Sequence, residues 1–321
     1  MDIFFTPAYA ELYADEDSQP EVIDFSCEHG NVYYSFLKRR IHNINELYYD
    51  ITTPYGYGGP IITECYTNET ELVKAFEIKL SRYCHDNNIV SEFIRFHPLT
   101  DNHRIFNGVY KPELYSMNIA VDLRPRMEDI WSGFEHKVRK NVNKASRFAL
   151  VTAFDGKGER LDEFLKIYYE TMDRRNAGEL YYFERSFFEG ILRTLSGHYC
   201  FVLIGYEGKA ISTELILLGD SGIMHSFLGG TSREYYDLRP NDLLKYRAIE
   251  WGKERGYHTY LLGGGPSPQD GVYKYKRSFA PNGVHEFYLG KKIWNREVYD
   301  KLSVHNKAPE DSSYFPLYRA K

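Results

Sequence analysis

The stretch "GIMHSFLGGTSREYYDLRPNDLLKYRAIEWGKERGYHTYLLGGG", residues 222–265, decides the fold. It opens on a strand-like apolar run that ends in Gly229 and Gly230. Pro240 then stands near the start of a segment in which Leu244, Ala248 and Trp251 share one helical face, and Gly256 follows its end. Proline suits a first helical turn, where its missing N–H would have been unpaired, and glycine suits the residue past the last turn. A second strand-like run, from Tyr257, closes on Gly263, Gly264 and Gly265. Strand, helix, strand predicts a β-α-β unit with a parallel crossover.

The same order occurs about 170 residues earlier. "YYDITTPYGYGGPIITE" (48–64) is β-like around a Gly-rich loop. "NETELVKAFEIKLSRYCHDNN" (68–88) has Leu72, Phe76, Leu80 and Tyr83 at helical spacing, with Asn68 or Thr70 as the cap. "VSEFIRFHP" (90–98) alternates like a strand and stops at Pro98. Two copies of one unit predict a tandem α+β architecture with mixed sheets. We expect a first domain over 1–147, a second over 148–294, and a polar, irregular tail (295–321) that packs back on the first. The boundary is placed near 148, after a run holding Lys137, Arg139, Lys140, Lys144 and Arg147 with no acid until Asp155.

Composition narrows the class. A length of 321 residues favours two domains, and a hydrophobic fraction of 43% supports a core. A net charge of −5 argues against nucleic-acid binding by bulk electrostatics, though not against a local basic groove. Cys27, Cys65, Cys84 and Cys200 are scattered, without metal-type spacing, which predicts reduced thiols, a cytosolic location and no zinc. The N-terminus has no basic, apolar leader, and no apolar run approaches the ~18 residues of a membrane span, so any membrane association would be peripheral, at the inner face. The 29 tyrosines and 20 phenylalanines allow an amphipathic groove for a large polar ligand as well as ordinary half-buried packing.

After residue 148, "LDEFLKIYYETMDRR" and "RSFFEGILRTL" are amphipathic helices, and "YCFVLIGYEGKAISTELILL" is two strands about a turn. Helix, helix, three antiparallel strands, helix, strand is the order of the GNAT acyltransferase fold. "ETMDRRNAGELYYFERSFFEGIL" (170–192), "GKAISTELILLGDSGIMHSFLGGTS" (208–232) and "LLKYRAIEWGKERGYHTYLLGGGPSPQDGVYKYKRSFA" (243–280) resemble the Fem-type family, in which that fold occurs twice. The resemblance covers the second domain and, less closely, the first. It implies a bacterial enzyme that moves an aminoacyl group from aminoacyl-tRNA to an amine of a peptidoglycan precursor, with Lys276, just before Phe279, stabilising the developing oxyanion or the leaving ribose oxygen. No extended heptad pattern answers to the helical hairpin of some members, so an acyl thioester of coenzyme A or of an acyl carrier protein stays open as donor. No tightly bound cofactor is expected. The implied partners are an anionic acceptor, nucleotide- or lipid-linked, and aminoacyl-tRNA. A non-catalytic binding protein on the same fold is the reading from another class.

The residues themselves support several site assignments. "GGGPSPQDGVYKYKRSF" (263–279), read as a loop and strand, puts Lys274 and Lys276 on one face and Arg277 on the other, with Gly264 and Gly265 letting backbone approach a phosphate-bearing ligand. Arg239 and Asn241, at the helix start, occupy the usual place for a coenzyme A pyrophosphate. Pro240 there has no N–H to offer, and the expected glycines are missing. Arg175 precedes the short aromatic stretch between the two amphipathic helices. Glu214, amid apolar strand residues, is either a general base or a satisfied core carboxylate. Tyr55 and Tyr57, alternating with Gly56 and Gly58 and followed by Gly59, line an acceptor seat or form a rigid packed loop. Arg139 and Lys140 represent a basic run that receives phosphates or is a solvated helix face. The motifs of zinc proteases, nucleophile-elbow hydrolases, P-loops and dinucleotide folds are absent, and no metal site is expected.

Overall fold

The computed structural model describes residues 1–42, 46–178, 181–265, 270–305 and 314–320. Two compact units emerge: a central one of Met1–Ile3 with Ser116–His285, and a flanking one of Phe4–Tyr115 with Glu286–Lys321. In chain order the flanking unit begins with α1 (Pro7–Glu11), β1 (Ser18–Cys27), β2 (Gly30–Arg40), β3 (Tyr49–Thr52), β4 (Ile61–Cys65), α2 (Glu69–Asp86) and β5 (Ile89–Arg95). The short helices α3 (Asn102–Ile105) and α4 (Asn107–Tyr110) follow, and β6 (Glu113–Asp122) leads into the central unit. There come α5 (Met127–Gly133), α6 (His136–Ala145), β7 (Val151–Asp155), α7 (Leu161–Arg175), α8 (Arg185–Thr194), β8 (Tyr199–Tyr206), β9 (Lys209–Leu218) and β10 (Ile223–Thr231). Then follow α9 (Pro240–Glu254), β11 (Thr259–Gly263) and α10 (Gly271–Arg277), before β12 (Val284–Ile293) and α11 (Arg296–His305).

The tandem repeat is plain in the strand senses. The central order β8-β9-β10-β11-β6 runs antiparallel, antiparallel, parallel, antiparallel, with β7 beyond β8. The flanking order β1-β2-β3-β5-β12 runs through the same four senses, with β4 pairing β2 aside. The parallel pairs are β10 with β11 and β3 with β5, each joined through one long helix, α9 or α2. The fifth strand is displaced in sequence each time: β6 precedes the central unit and β12 follows it.

Local chemistry explains the helices. Asn68 Oδ1 accepts from the backbone N–H groups of Thr70 and Glu71, capping α2, whose Leu72, Phe76 and Leu80 enter the flanking core with Val32, Phe36 and Ile94. The α9 helix is buried nearly all round: besides Leu244, Ala248 and Trp251, it buries Asp242, Leu243, Lys245 and Ile249.

Three expectations need correction. The units divide at Tyr115/Ser116, not near 148, because Val138, Val142 and Ala145 of α6 belong to the central core. Residues 271–277 are helical, not extended; Asp270 Oδ1 accepts the Tyr273 N–H at 2.7 Å and caps α10. Part of the segment beyond Trp294 is also helical: Asn295 Oδ1 accepts the Val298 N–H at 3.1 Å, and α11 buries Val298, Tyr299 and Leu302. Farther on, Arg319 Nε and the Tyr318 hydroxyl donate to Asp50 Oδ2 at 2.5 and 3.1 Å, tying the chain end to β3 of the flanking unit.

Gly230 fixes how closely β10 meets α7. A Cβ there would lie 2.5 Å from Thr171 Oγ1 and 2.8 Å from the Ile167 carbonyl oxygen. Gly230→Ala should therefore lower the stability of the protein by about 1–3 kcal/mol in urea denaturation. Gly133→Ala, at a helical position with nothing within 4 Å of the added carbon, should leave it unchanged or slightly raised.

Candidate active site

In the central unit β10 and β11 pair over only three positions, Ile223 with Thr259, Met224 with Tyr260 and His225 with Leu261. Past His225 the register of β10 on β9 shifts between Ser226 and Leu228, while β11 continues along β6 to Gly263. The two parallel strands thus part at their carboxyl ends, the place where open α/β sheets most readily admit a ligand.

A buried polar network lies beside this parting. Glu214 of β9 and Lys245 of α9 are 4% and 5% exposed and form an ion pair through Glu214 Oε1. The Tyr260 hydroxyl donates to the same oxygen at 2.8 Å, and Lys245 Nζ also donates to Ser226 Oγ at 2.7 Å. Glu214 Oε2 is buried without a hydrogen-bond partner among the described residues. Burial drives the Lys245 ammonium group towards a lower pKa, and Glu214 opposes that shift. Neither residue type is buried unless paired, so each accounts for the other.

Lys276 belongs to the same electrostatic environment. It lies at the end of α10, half-buried, and Nζ donates to the Gly264 carbonyl oxygen at 2.6 Å. Burial, and then the Lys245 ammonium, bring its pKa down to about 7, against the opposing pull of Glu214 and Asp270. Lys276 therefore exists in both protonation states at neutral pH, unlike a solvated lysine.

The helical form of residues 271–277 separates the basic residues that an extended form would align. Lys274 and Arg277 are exposed, and of the three only Lys276 turns to the glycine cluster. Gly264 and Gly265 are themselves required by neighbours: added carbons would lie 2.9 Å from the Met117 carbonyl oxygen and 2.1 Å from Asp270 Oδ1. The adjoining "PSPQ" (266–269), read as flexible loop, lies outside the described residues. Glu214 is an ion-paired core carboxylate. Arg239 takes a left-handed backbone (φ 58°) immediately before α9, where its Nε is buried without a partner among the described residues. Asn241 is half-buried in the first turn of α9. Arg175 is exposed at the end of α7.

Arg139 is half-buried and donates to the carbonyl oxygens of Ser132 (2.9 Å) and Phe134, so it braces α6 instead of facing a ligand. Lys140 is exposed, with Lys137, Lys144 and Arg147, and among the described residues none of the four forms an ion pair.

The Tyr55–Gly59 loop belongs to the flanking unit by itself. The Tyr57 ring sits edge-on to Phe4, His97 and Phe287 at 5.2–5.5 Å between centroids. The Tyr55 carbonyl accepts the Tyr9 hydroxyl at 2.5 Å. Gly58 N–H donates to the Arg95 carbonyl at 2.8 Å, and Gly59 (φ 94°) is buried against Ile94 and Asn102. The loop is pinned to an aromatic core, so Tyr57 is a packing residue rather than a wall of an open seat.

Lys245 is the residue that sequence reasoning missed. Its signal was faint: one lysine beside the apolar face of a helix, matched by one glutamate in an apolar strand.

Comparison with known proteins agrees with this topology. Residues 132–277 match the model of an acetyltransferase (GNAT) domain family. The crystal structure of FemX is similar at a TM-score of 0.71 and 14% identity, with 94% of each chain covered. The C-terminal domain (DUF2156) of a putative lysylphosphatidylglycerol synthetase from Agrobacterium fabrum is similar at 0.58 and 12%, covering 95% of this chain and 91% of that one. L-PGS from Bacillus licheniformis gives 0.54 and 15%, covering 92% and 94%. No curated protein sequence matches. The chain has a Fem-like tandem GNAT fold.

If the buried pair organises this site, Lys245→Met alone should lower stability by about 3–5 kcal/mol, since it strands the Glu214 carboxylate. The double variant Lys245→Met/Glu214→Leu should recover most of that loss in the same denaturant titration.

Proposed function

We propose that the protein is an aminoacyltransferase whose central unit passes an aminoacyl group to an amine acceptor belonging to a cell-envelope precursor. The observation that carries this reading is Lys276, whose Nζ is turned to the Gly264 carbonyl oxygen just past β11, where β10 and β11 part. Acyl transfer to an amine passes through a tetrahedral oxyanion, and a donor fixed in advance at that point lowers its energy without reorganisation. In this scheme the free amine attacks the acyl carbonyl carbon, and the carbonyl π electrons move to oxygen, which receives a hydrogen bond from the Lys276 ammonium. Collapse expels the ester oxygen, and the proton lost from nitrogen finishes on that leaving oxygen. Glu214 fixes Lys245, and Lys245 in turn adds to the burial that lowers the proton affinity of Lys276. No base role is assigned to Glu214, whose Oε1 is taken by an ammonium and a phenol and whose Oε2 is buried.

The start of α9 favours an aminoacyl-tRNA donor over coenzyme A. A helix start that holds a pyrophosphate offers unpaired N–H groups. Here Pro240 offers none, and the first turn buries Asp242, whose carboxyl accepts from Asn141 Nδ2 at 3.2 Å. The Lys137, Lys140, Lys144 and Arg147 side chains on and just after α6 supply the kind of unpaired positive charge that a polynucleotide backbone neutralises. The similarity to a domain of a putative lysylphosphatidylglycerol synthetase points to an aminoacylated envelope component, as does the sequence resemblance to Fem-type enzymes. The acceptor is taken to be anionic, the enzyme cytosolic, and its contact with the membrane peripheral; among the described residues no helix is long and apolar enough to cross a membrane.

Transfer assays with aminoacyl-tRNA and with acyl-CoA test this reading. Lys276→Ala should reduce turnover on the active donor by about 10²–10³-fold with the thermal unfolding profile retained. The acting form is the ammonium, so wild-type turnover should decline as pH rises through about 7. Lys276→Arg, charged throughout, should lose that declining limb. Full turnover in Lys276→Ala would remove Lys276 from the mechanism, and no turnover of the wild type on either donor would leave a binding protein as the better description.

A further inference from the structure

In the flanking unit one arginine has no carboxylate partner among the described residues. Asp50, on β3 and 1% exposed, accepts Arg39 Nε at 2.8 Å through Oδ1 and Arg319 Nε at 2.5 Å through Oδ2. One carboxylate thus serves two guanidinium groups. A third, Arg95, ends β5 close enough to Arg39 for the two charges to repel. Among the described residues no carboxylate pairs with Arg95. Its guanidinium carbon lies over the Phe93 ring, 4.8 Å from the centroid, and among the described residues its side chain makes one hydrogen bond, a long one from Nη1 to the Thr53 carbonyl at 3.4 Å. An arginine drawn partly out of water with no carboxylate among the described residues is a place where an anionic ligand can supply the counter-charge.

The backbone around Arg95 is built with care. Its N–H donates to Thr53 Oγ1 at 3.0 Å, and its carbonyl accepts from Gly58, so the "TPYGYGGP" loop wraps the residue. Tyr13, Tyr55 and Tyr314 lie within its electrostatic reach. The position is the carboxyl end of the parallel pair β3 and β5, which corresponds within its own unit to the place of Gly264 after β11.

We propose that Arg95 is the seat of an oxyanion, a carboxylate or a phosphate, carried by the molecule this protein acts on. The guanidinium fork, held over Phe93, offers paired N–H donors of the kind that planar oxyanions accept. The assignment of that ligand as the acceptor rests on the transferase reading above; the anion site does not.

The test titrates the whole protein with pyrophosphate in one arm and succinate in the other, following thermal stability and heat of binding. At least one anion should bind saturably, with a dissociation constant on the order of 1 mM, as befits a fragment-sized ligand. Arg95→Met should weaken it at least ~10-fold, and Arg95→Lys, which keeps the charge but loses the fork, by about 3-fold. Lys276→Met should bind it as wild type does. Should Arg95→Met fail to fold, the Arg95→Lys comparison decides alone. Absence of saturable binding in both arms, or equal affinity in wild type and the Arg95 variants, would overturn the proposal. Loss of binding in Arg95 variants of a protein that transfers no acyl group would keep the anion site and refute the transferase.

Discussion

One ammonium and one carboxylate, closed on each other inside the central unit, set the terms for the rest of it. Lys245 enters the core because α9 is buried nearly all round, and it can stay there only because Glu214 waits on β9. That pairing anchors a crossover helix to the strands beside it. It also leaves a fixed positive charge next to a second lysine. Without Lys245, Lys276 would lose the like charge that helps to keep it partly deprotonated. A structural ion pair thereby becomes the element that tunes a chemical group.

The tandem architecture repeats a place, not a chemistry. Both units bring two parallel strands together through one long helix, and both set a basic residue at the carboxyl end of the second strand. In the central unit the strands part and the lysine is half-titrated. In the flanking unit the corresponding end holds a permanently charged arginine under a glycine loop. Lysine suits a site where protonation matters, whereas arginine suits one where an anion must be gripped in a fixed orientation.

Much of the fold was legible in the sequence, and the reasons are physical. Helical spacing through Leu72, Phe76 and Leu80, an asparagine cap, and glycines after strands are local signals, and local signals survive in a linear chain. The exchange of β6 and β12 is not local, so it moved the division between units away from the basic run. The alternation in "GVYKYKRSF" imitates a strand, and only the Asp270 cap reveals a helix; the same kind of cap, Asn295, marks the helix hidden in the tail. Among site residues, Lys276 was reached through its resemblance and its glycine neighbours. Arg139 was misread because nothing in a linear pattern shows that a guanidinium turns back on the carbonyls before its own helix, and Tyr57 was left between a seat and a packed loop because no such pattern shows that a ring faces three others. Lys245 and Arg95 escaped because their importance lies in which partner they have, or lack.

The central claim is that Lys276 is held near neutrality by burial and by Lys245. A carbon-13 NMR titration of the lysine ε-methylene signals, with Lys276 assigned by its substitution, measures this directly. The account predicts a midpoint near pH 7, rising when Lys245→Met/Glu214→Leu removes the neighbouring pair. A midpoint at 10.5, the ordinary lysine value, would contradict it.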